Sequence, residues 1–153
     1  MSRKSAKSPQ ELRWELSLDM LPATQELAKE IEQKLRHAEL VSTLANYDIG
    51  KRIAEAVQRE GDFGARAIEQ IARFVAIPGG TRRLYELRQL VKMFTRHFVK
   101  DQASRTLDNG RPFSLDHFLV LMTVRSKREQ ERLIEKVRRE GLTARQLQRE
   151  IGE

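Results

Sequence analysis

Cations and hydrogen-bonding groups recur at helical spacing between residues 81 and 98, at Arg82, Tyr85, Gln89, Lys92 and Arg96. At about 100° per residue these side chains share one face of a helix, and the apolar residues share the opposite face. Their face holds no acid, because Glu86 lies at its flank. Arg and Gln can read base edges, and Lys can pair with phosphates. The pattern therefore predicts a surface that binds a polyanion.

The residues before this helix favour a helix-turn-helix unit. A short helix is predicted over residues 65–75, a turn over 77–80, and a second helix from Thr81, as its cap, to about Phe98. In such a unit the second helix lies in the major groove of DNA. The predicted contact residues are Arg82, Arg83, Tyr85, Arg88, Gln89, Lys92 and Arg96. The alternative is an ordinary amphipathic helix with a solvated basic face.

A second basic patch is predicted near the end of the chain, at Arg138, Arg139, Arg145 and Arg149. Acidic residues on the same helices offset much of its charge, so a solvated helical surface is the competing interpretation.

No pattern of residues points to catalysis. The chain has no cysteine, and none of the three histidines (His37, His97 and His117) has a second ligand at metal spacing. No phosphate-binding glycine loop or nucleophile elbow is present. We therefore expect no enzyme activity, no catalytic residues, no metal and no cofactor.

The elements that must position the basic helix are all helical. Apolar residues at steps of four and seven over residues 24–60 predict one long helix, or two helices broken near 45–47. A single helix of that length would protrude from a small core or pair with a second copy. Gly61 and Gly64 mark its end. Ser114, Ser126 and Thr143 are predicted caps of three further helices. No segment alternates as a strand does, although a small hairpin wing stays open as an alternative.

Four regions follow from these boundaries. Residues 1–23 form a basic tail and an amphipathic arm, residues 24–100 the long helix and helix-turn-helix, residues 101–112 a linker, and residues 113–153 a three-helix unit packed on the same domain. Ser8 is the predicted cap of a helix in the arm. We expect the arm, with Trp14, to cover the protein's own core; the alternative is docking in a partner's groove.

Composition agrees with a nucleic-acid partner. Among 153 residues, 29 Lys and Arg outweigh 22 Asp and Glu, for a net charge of +7. Such a surplus favours nucleic acid or an anionic membrane surface. No apolar run reaches the roughly 20 residues of a membrane span, and no signal-peptide pattern occurs. We therefore expect a cytoplasmic protein with no membrane partner.

Several fragments together resemble the N-terminal domain of YhcG-like proteins. Residues 46–53 (NYDIGKRI) resemble that family's YWEIGKRI, residues 63–64 its YG, and residues 84–94 its NLRRMRQFY. Residues 113–117 resemble LSWSH, and residues 141–151 resemble the closing WSVRELERQI. Two tryptophans of the family pattern are absent, with Leu142 standing for the closing one. Residues 113–151 are also similar, more weakly, to the helical DNA-binding region of ParB-like partition proteins.

The YhcG-like resemblance implies a helical, winged-helix-like DNA-binding module. In that family the module usually precedes a predicted PD-(D/E)xK nuclease domain, so the resemblance also implies a bacterial-type, nuclease-associated protein. Nuclease activity is not carried over, because residue 153 stands where that domain would begin. We therefore predict a non-catalytic module that binds duplex DNA and recruits or regulates a nuclease or another partner. The alternative is a protein–protein assembly module, including a homodimer, that uses the long helix and the Trp14 segment.

Overall fold

The computed structural model describes residues 6–59 and 65–152. Those residues form eight helices and no strand: α1 (Pro9–Leu18), α2 (Pro22–Arg59), α3 (Ala65–Val75), α4 (Gly80–Met93), α5 (Arg96–Ala103), α6 (Leu115–Leu121), α7 (Lys127–Glu140) and α8 (Ala144–Gly152). A single β-bridge joins Thr106 and Pro112. The predicted all-α fold is confirmed. Residues 1–5 of the predicted tail, and the predicted stop at Gly61 and Gly64, lie outside the described residues.

The long helix α2 is continuous, which settles the choice between one helix and two. Its 38 residues correspond to about 57 Å at 1.5 Å per residue. The second half packs against α4 and α5. Tyr47 donates a buried hydrogen bond of 2.8 Å to the carbonyl of Phe94. The helix therefore serves as the spine on which the other elements are placed.

Helix α1 folds back along the first half of α2 without covering any core. Its N-terminus has the capping box predicted at Ser8, in which Ser8 and Glu11 exchange hydrogen bonds. Arg13 pairs with Glu32 on α2 at 2.8 Å. However, α1 has no buried residue, and Trp14 is 66 % exposed. The expectation that this arm covers the protein's own core is therefore wrong.

The main hydrophobic core joins α2, α4 and α5 to the C-terminal helices. Phe113 and Phe118 are fully buried at its centre, with ring centroids 4.8 Å apart, and Phe94 lies 6.1 Å from Phe118. A smaller cluster formed by Ile53, Ile68, Ala72 and Leu84 holds α3 against α2 and α4. The C-terminal unit therefore shares its core with the long helix.

The segment predicted as a linker, residues 101–112, contains the end of α5 and the buried side chain of Leu107. The backbone amide of Asp108 donates to the carbonyl of Arg138 at 2.9 Å. This segment is therefore hydrogen-bonded to α7.

None of the helices in the described ranges is both long and apolar enough to cross a membrane.

Candidate nucleic-acid interface

Helix α4 begins and ends differently from the prediction. Its N-cap is Gly79, at φ 86°, and no side chain caps it, so Thr81 is not the cap. The helix stops at Met93 because Phe94 is extended, with φ −122° and ψ 141°. Thr95 then caps a new helix by accepting a hydrogen bond from the amide of Phe98 at 3.1 Å. The single helix expected up to Phe98 is therefore two helices.

Between Arg82 and Lys92, helix α4 has one buried face and one exposed face. Leu84, Leu87 and Leu90 are buried. The side chains on the opposite face are exposed, namely Arg82, Tyr85, Gln89 and Lys92. Arg82 lies 3.3 Å from Glu86, and Arg82 itself is almost fully exposed. The solvent-facing side of α4 thus presents two cations and two neutral hydrogen-bonding groups together.

Arg96 does not belong to this face. It is the first residue of α5, and its guanidinium makes two hydrogen bonds to Asp48 on α2, at 2.9 and 3.2 Å. These bonds hold the pKa of the Asp48 carboxyl below its usual range. The predicted contact residue Arg96 is therefore part of an ion pair between α2 and α5.

Arg83 and Arg88 are less exposed than the rest of the predicted set. Arg83 points toward α6, where it lies 3.5 Å from Asp116. Arg88 is half-buried at the edge of the core face, and its Nε has no hydrogen-bond partner within the described part of the chain. Both residues border the exposed face of α4 but do not lie at its centre.

A cleft of about 770 Å³ separates α4 from α6 and α8. Arg82, Arg83 and Gln89 line it from α4, and Arg145 and Gln148 line it from α8. Glu86 and Asp116 also line the cleft, each beside one of its arginines. The structure thus brings Arg145, from the second predicted patch, to the same cleft as the predicted contact helix.

The four arginines of the predicted second basic patch do not lie on one surface. Arg138 turns inward: its guanidinium donates to the carbonyls of Arg105 and Gln102 at 3.2 and 2.8 Å and lies 5.1 Å above the ring of Phe113. Burial lowers the pKa of Arg138 to about 10. Arg139, on α7, is exposed. Arg145 and Arg149 lie one turn apart on α8 and are both exposed.

Sequence reasoning assigned no contact role to three cations at the start of α7. Arg125, Lys127 and Arg128 are exposed, and none makes an ion pair among the residues that the structure describes. Cations at a helix N-terminus are electrostatically unfavourable. They follow closely after Thr123, which lines the cleft. Cations at this unfavourable position are the sequence signal that could have indicated a contact role, whereas the sequence analysis predicts only a helix start at Ser126.

Within residues 6–59 and 65–152, no three His, Asp or Glu side chains are grouped as a metal ion requires.

No protein-family model matches the chain, and no curated protein or solved structure is significantly similar to it. The resemblance to YhcG-like modules therefore stays a prediction.

Proposed function

We propose that this chain is a non-catalytic module that binds duplex DNA through the exposed face of α4. The observation that carries the proposal is that Arg82, Tyr85, Gln89 and Lys92 face solvent together on a helix whose other side is buried. A helix with one free polar face fits the major groove, which is about 12 Å wide. Lys92 lies ten residues from Arg82, or about 15 Å along the axis.

The docking mode follows from the position of these groups. The four-residue connection between α3 and α4, residues 76–79, includes Gly79 and has the length found in helix-turn-helix units. The first turns of α4, with Arg82 and Tyr85, would approach base edges, and Lys92 would meet a phosphate. Across the cleft, Arg145 and Arg149 on α8 would contact the flanking backbone. The YhcG-like resemblance favours a nuclease as the activity that this module recruits or regulates.

The affinity for duplex DNA across a salt series tests the proposal. We compare wild type with the triple variant Arg82→Ala, Gln89→Ala, Lys92→Ala, using a labelled random-sequence duplex. The variant is expected to bind roughly tenfold more weakly. Its plot of log affinity against log salt should lose about one unit of slope, because Lys92 is the one proposed phosphate contact that it removes.

A matched control removes the same charge elsewhere. The variant Lys29→Ala, Gln33→Ala, Lys100→Ala also loses two cations and one amide from exposed positions, on α2 and α5. It should bind within about twofold of wild type, because surface cations far from the contact add little. Equal losses in both triple variants would contradict a site on α4. Absence of wild-type binding at low salt would contradict DNA binding altogether.

A further inference from the structure

The side of α2 that faces away from the core carries a row of exposed apolar residues. Its members are Leu27, Ile31, Leu35, Ala38, Val41, Ala45 and Ile49. The five larger ones are between 40 and 61 % exposed. At 100° per residue this row lies opposite Thr43, Tyr47 and Gly50, which are buried. We refer to these seven residues as the outer stripe.

The outer stripe is long enough for a specific interface. From Leu27 to Ile49 it extends about 33 Å along the helix. Contiguous apolar surface of this kind marks interaction sites, whereas single exposed apolar residues do not. Two copies that covered each other's stripe would bury roughly 1,000 Å² in total, close to the lower limit of specific interfaces.

Charges beside the stripe select the partner and its direction. Along one flank lie Glu30, Lys34, Asp48 and Arg52, in the order acid, base, acid, base. Glu30 and Arg52 are each eleven residues from Val41, and Lys34 and Asp48 are each seven residues from it. An antiparallel pair centred on Val41 therefore places every acid opposite a base. A parallel pair would set this flank against the opposite flank of the partner, so these four pairs could not form, and flanking charges set helix orientation in this way.

We propose that a second copy of this chain docks on the outer stripe, antiparallel, with the two-fold axis close to Val41. The side chains involved are accessible: Arg52 and Asp48 are 73 and 51 % exposed, although each also has a partner in its own chain. Helix α4 packs on the opposite side of α2, where a Cβ on Gly50 would touch Leu87. The dimer therefore leaves the exposed face of α4 free, and the proposal does not depend on DNA binding.

Disulfide cross-linking tests this geometry directly, because the natural chain has no cysteine. Val41→Cys would place the two sulfurs beside the axis. Leu27→Cys, the matched control on the same stripe, lies fourteen residues away, so its two copies would be about 42 Å apart. Mild oxidation of the full chain should give covalent dimers with Val41→Cys and not with Leu27→Cys. Cross-linking of both variants to the same extent, or of neither, would overturn the proposal.

Charge reversal gives an independent test by sedimentation equilibrium. Glu30→Arg and Arg52→Glu should each weaken the dimer roughly threefold to tenfold, because each disrupts two symmetric exposed pairs. The double variant restores both pairs and should recover the wild-type dissociation constant to within about twofold. Two weakened single variants without recovery in the double variant would overturn the antiparallel register. A wild-type chain that stays monomeric at high micromolar concentration would overturn the dimer itself.

Discussion

His117 links two parts of the C-terminal helical unit through hydrogen bonds at both of its ring nitrogens. Its Nδ1 accepts a hydrogen bond from the backbone amide of Ser114 at 3.0 Å, and its Nε2 lies 2.7 Å from the carbonyl of Leu142. The imidazole is therefore neutral, with its proton on Nε2, and links the start of α6 to the connection before α8. Burial lowers the pKa of His117.

This lowered pKa predicts a pH dependence of stability. The unfolded chain takes up a proton near pH 6.5, the ordinary histidine pKa, whereas the folded chain resists protonation. Stability that is complete above pH 6.5 should therefore fall as the pH is lowered toward the folded-state pKa. Urea unfolding at pH 7.5 and 5.5 measures this loss in wild type and in His117→Gln.

The His117→Gln variant should be less stable than wild type at pH 7.5 and should lose less stability between the two pH values. His37 and His97 are present in both proteins, so the difference isolates His117. An identical loss in both proteins would mean that the buried imidazole is not what titrates.

Sequence reasoning at this scale identified residue types but not their partners. Arg96 is a predicted DNA contact and Arg138 belongs to the predicted second basic patch, yet Arg96 pairs with Asp48 and Arg138 donates to Gln102 and Arg105. Those partners lie 33 to 48 residues away along the chain. Helical periodicity relates only neighbouring turns, so it does not reveal such long-range pairing.

At the scale of elements, the crossing of α2 and α4 depends on Gly50. A Cβ built on this residue would lie 2.2 Å from the carbonyl oxygen of Leu87. A glycine in the middle of a long helix weakens the helix by about 1 kcal/mol relative to alanine. Close approach of the two backbones explains why α2 nevertheless has a glycine at this position.

Gly50→Ala should therefore destabilise the protein, although alanine favours helix. Overpacking costs about 1–3 kcal/mol, which exceeds the gain in helix propensity. The melting temperature should fall by several degrees, given about 2–4 °C per kcal/mol for a chain of this size. In the control Gly152→Ala the added Cβ meets nothing within 4 Å. A higher melting temperature for Gly50→Ala would contradict the close crossing.

Four helix starts were predictable from a capping side chain, whereas the cap at Thr95 was missed. Ser8, Ser114, Ser126 and Thr143 each accept a backbone hydrogen bond at the helix start where they were predicted. The break at Phe94 was missed because no glycine or proline marks it and the apolar spacing continues through Phe98. The freed carbonyl of Phe94 is satisfied by Tyr47, a contact between distant parts of the chain.

For the whole molecule, the all-α class was predictable from periodicity, whereas periodicity left open whether residues 24–60 form one helix or two. The cleft was not predictable, because it brings together α4 and α8, whose lining residues Gln89 and Arg145 are 56 positions apart. The exposure of the Trp14 arm was also missed, since an amphipathic pattern does not show which protein covers it. Helix α4 packs on one side of α2, and the outer stripe lies on the other side. The candidate DNA-binding face of α4 and the outer stripe are therefore two separate surfaces of the molecule.

The measurement that tests the central claim most directly is a map of amide chemical shifts on addition of a short random-sequence DNA duplex at low salt. We expect the changes to concentrate in α4, around Arg82, Gln89 and Lys92, and in α8 around Arg145. The first half of α2 should not respond. Changes confined to other elements, or no changes at all at low salt, would contradict the assignment of the exposed face of α4 as a DNA-binding surface.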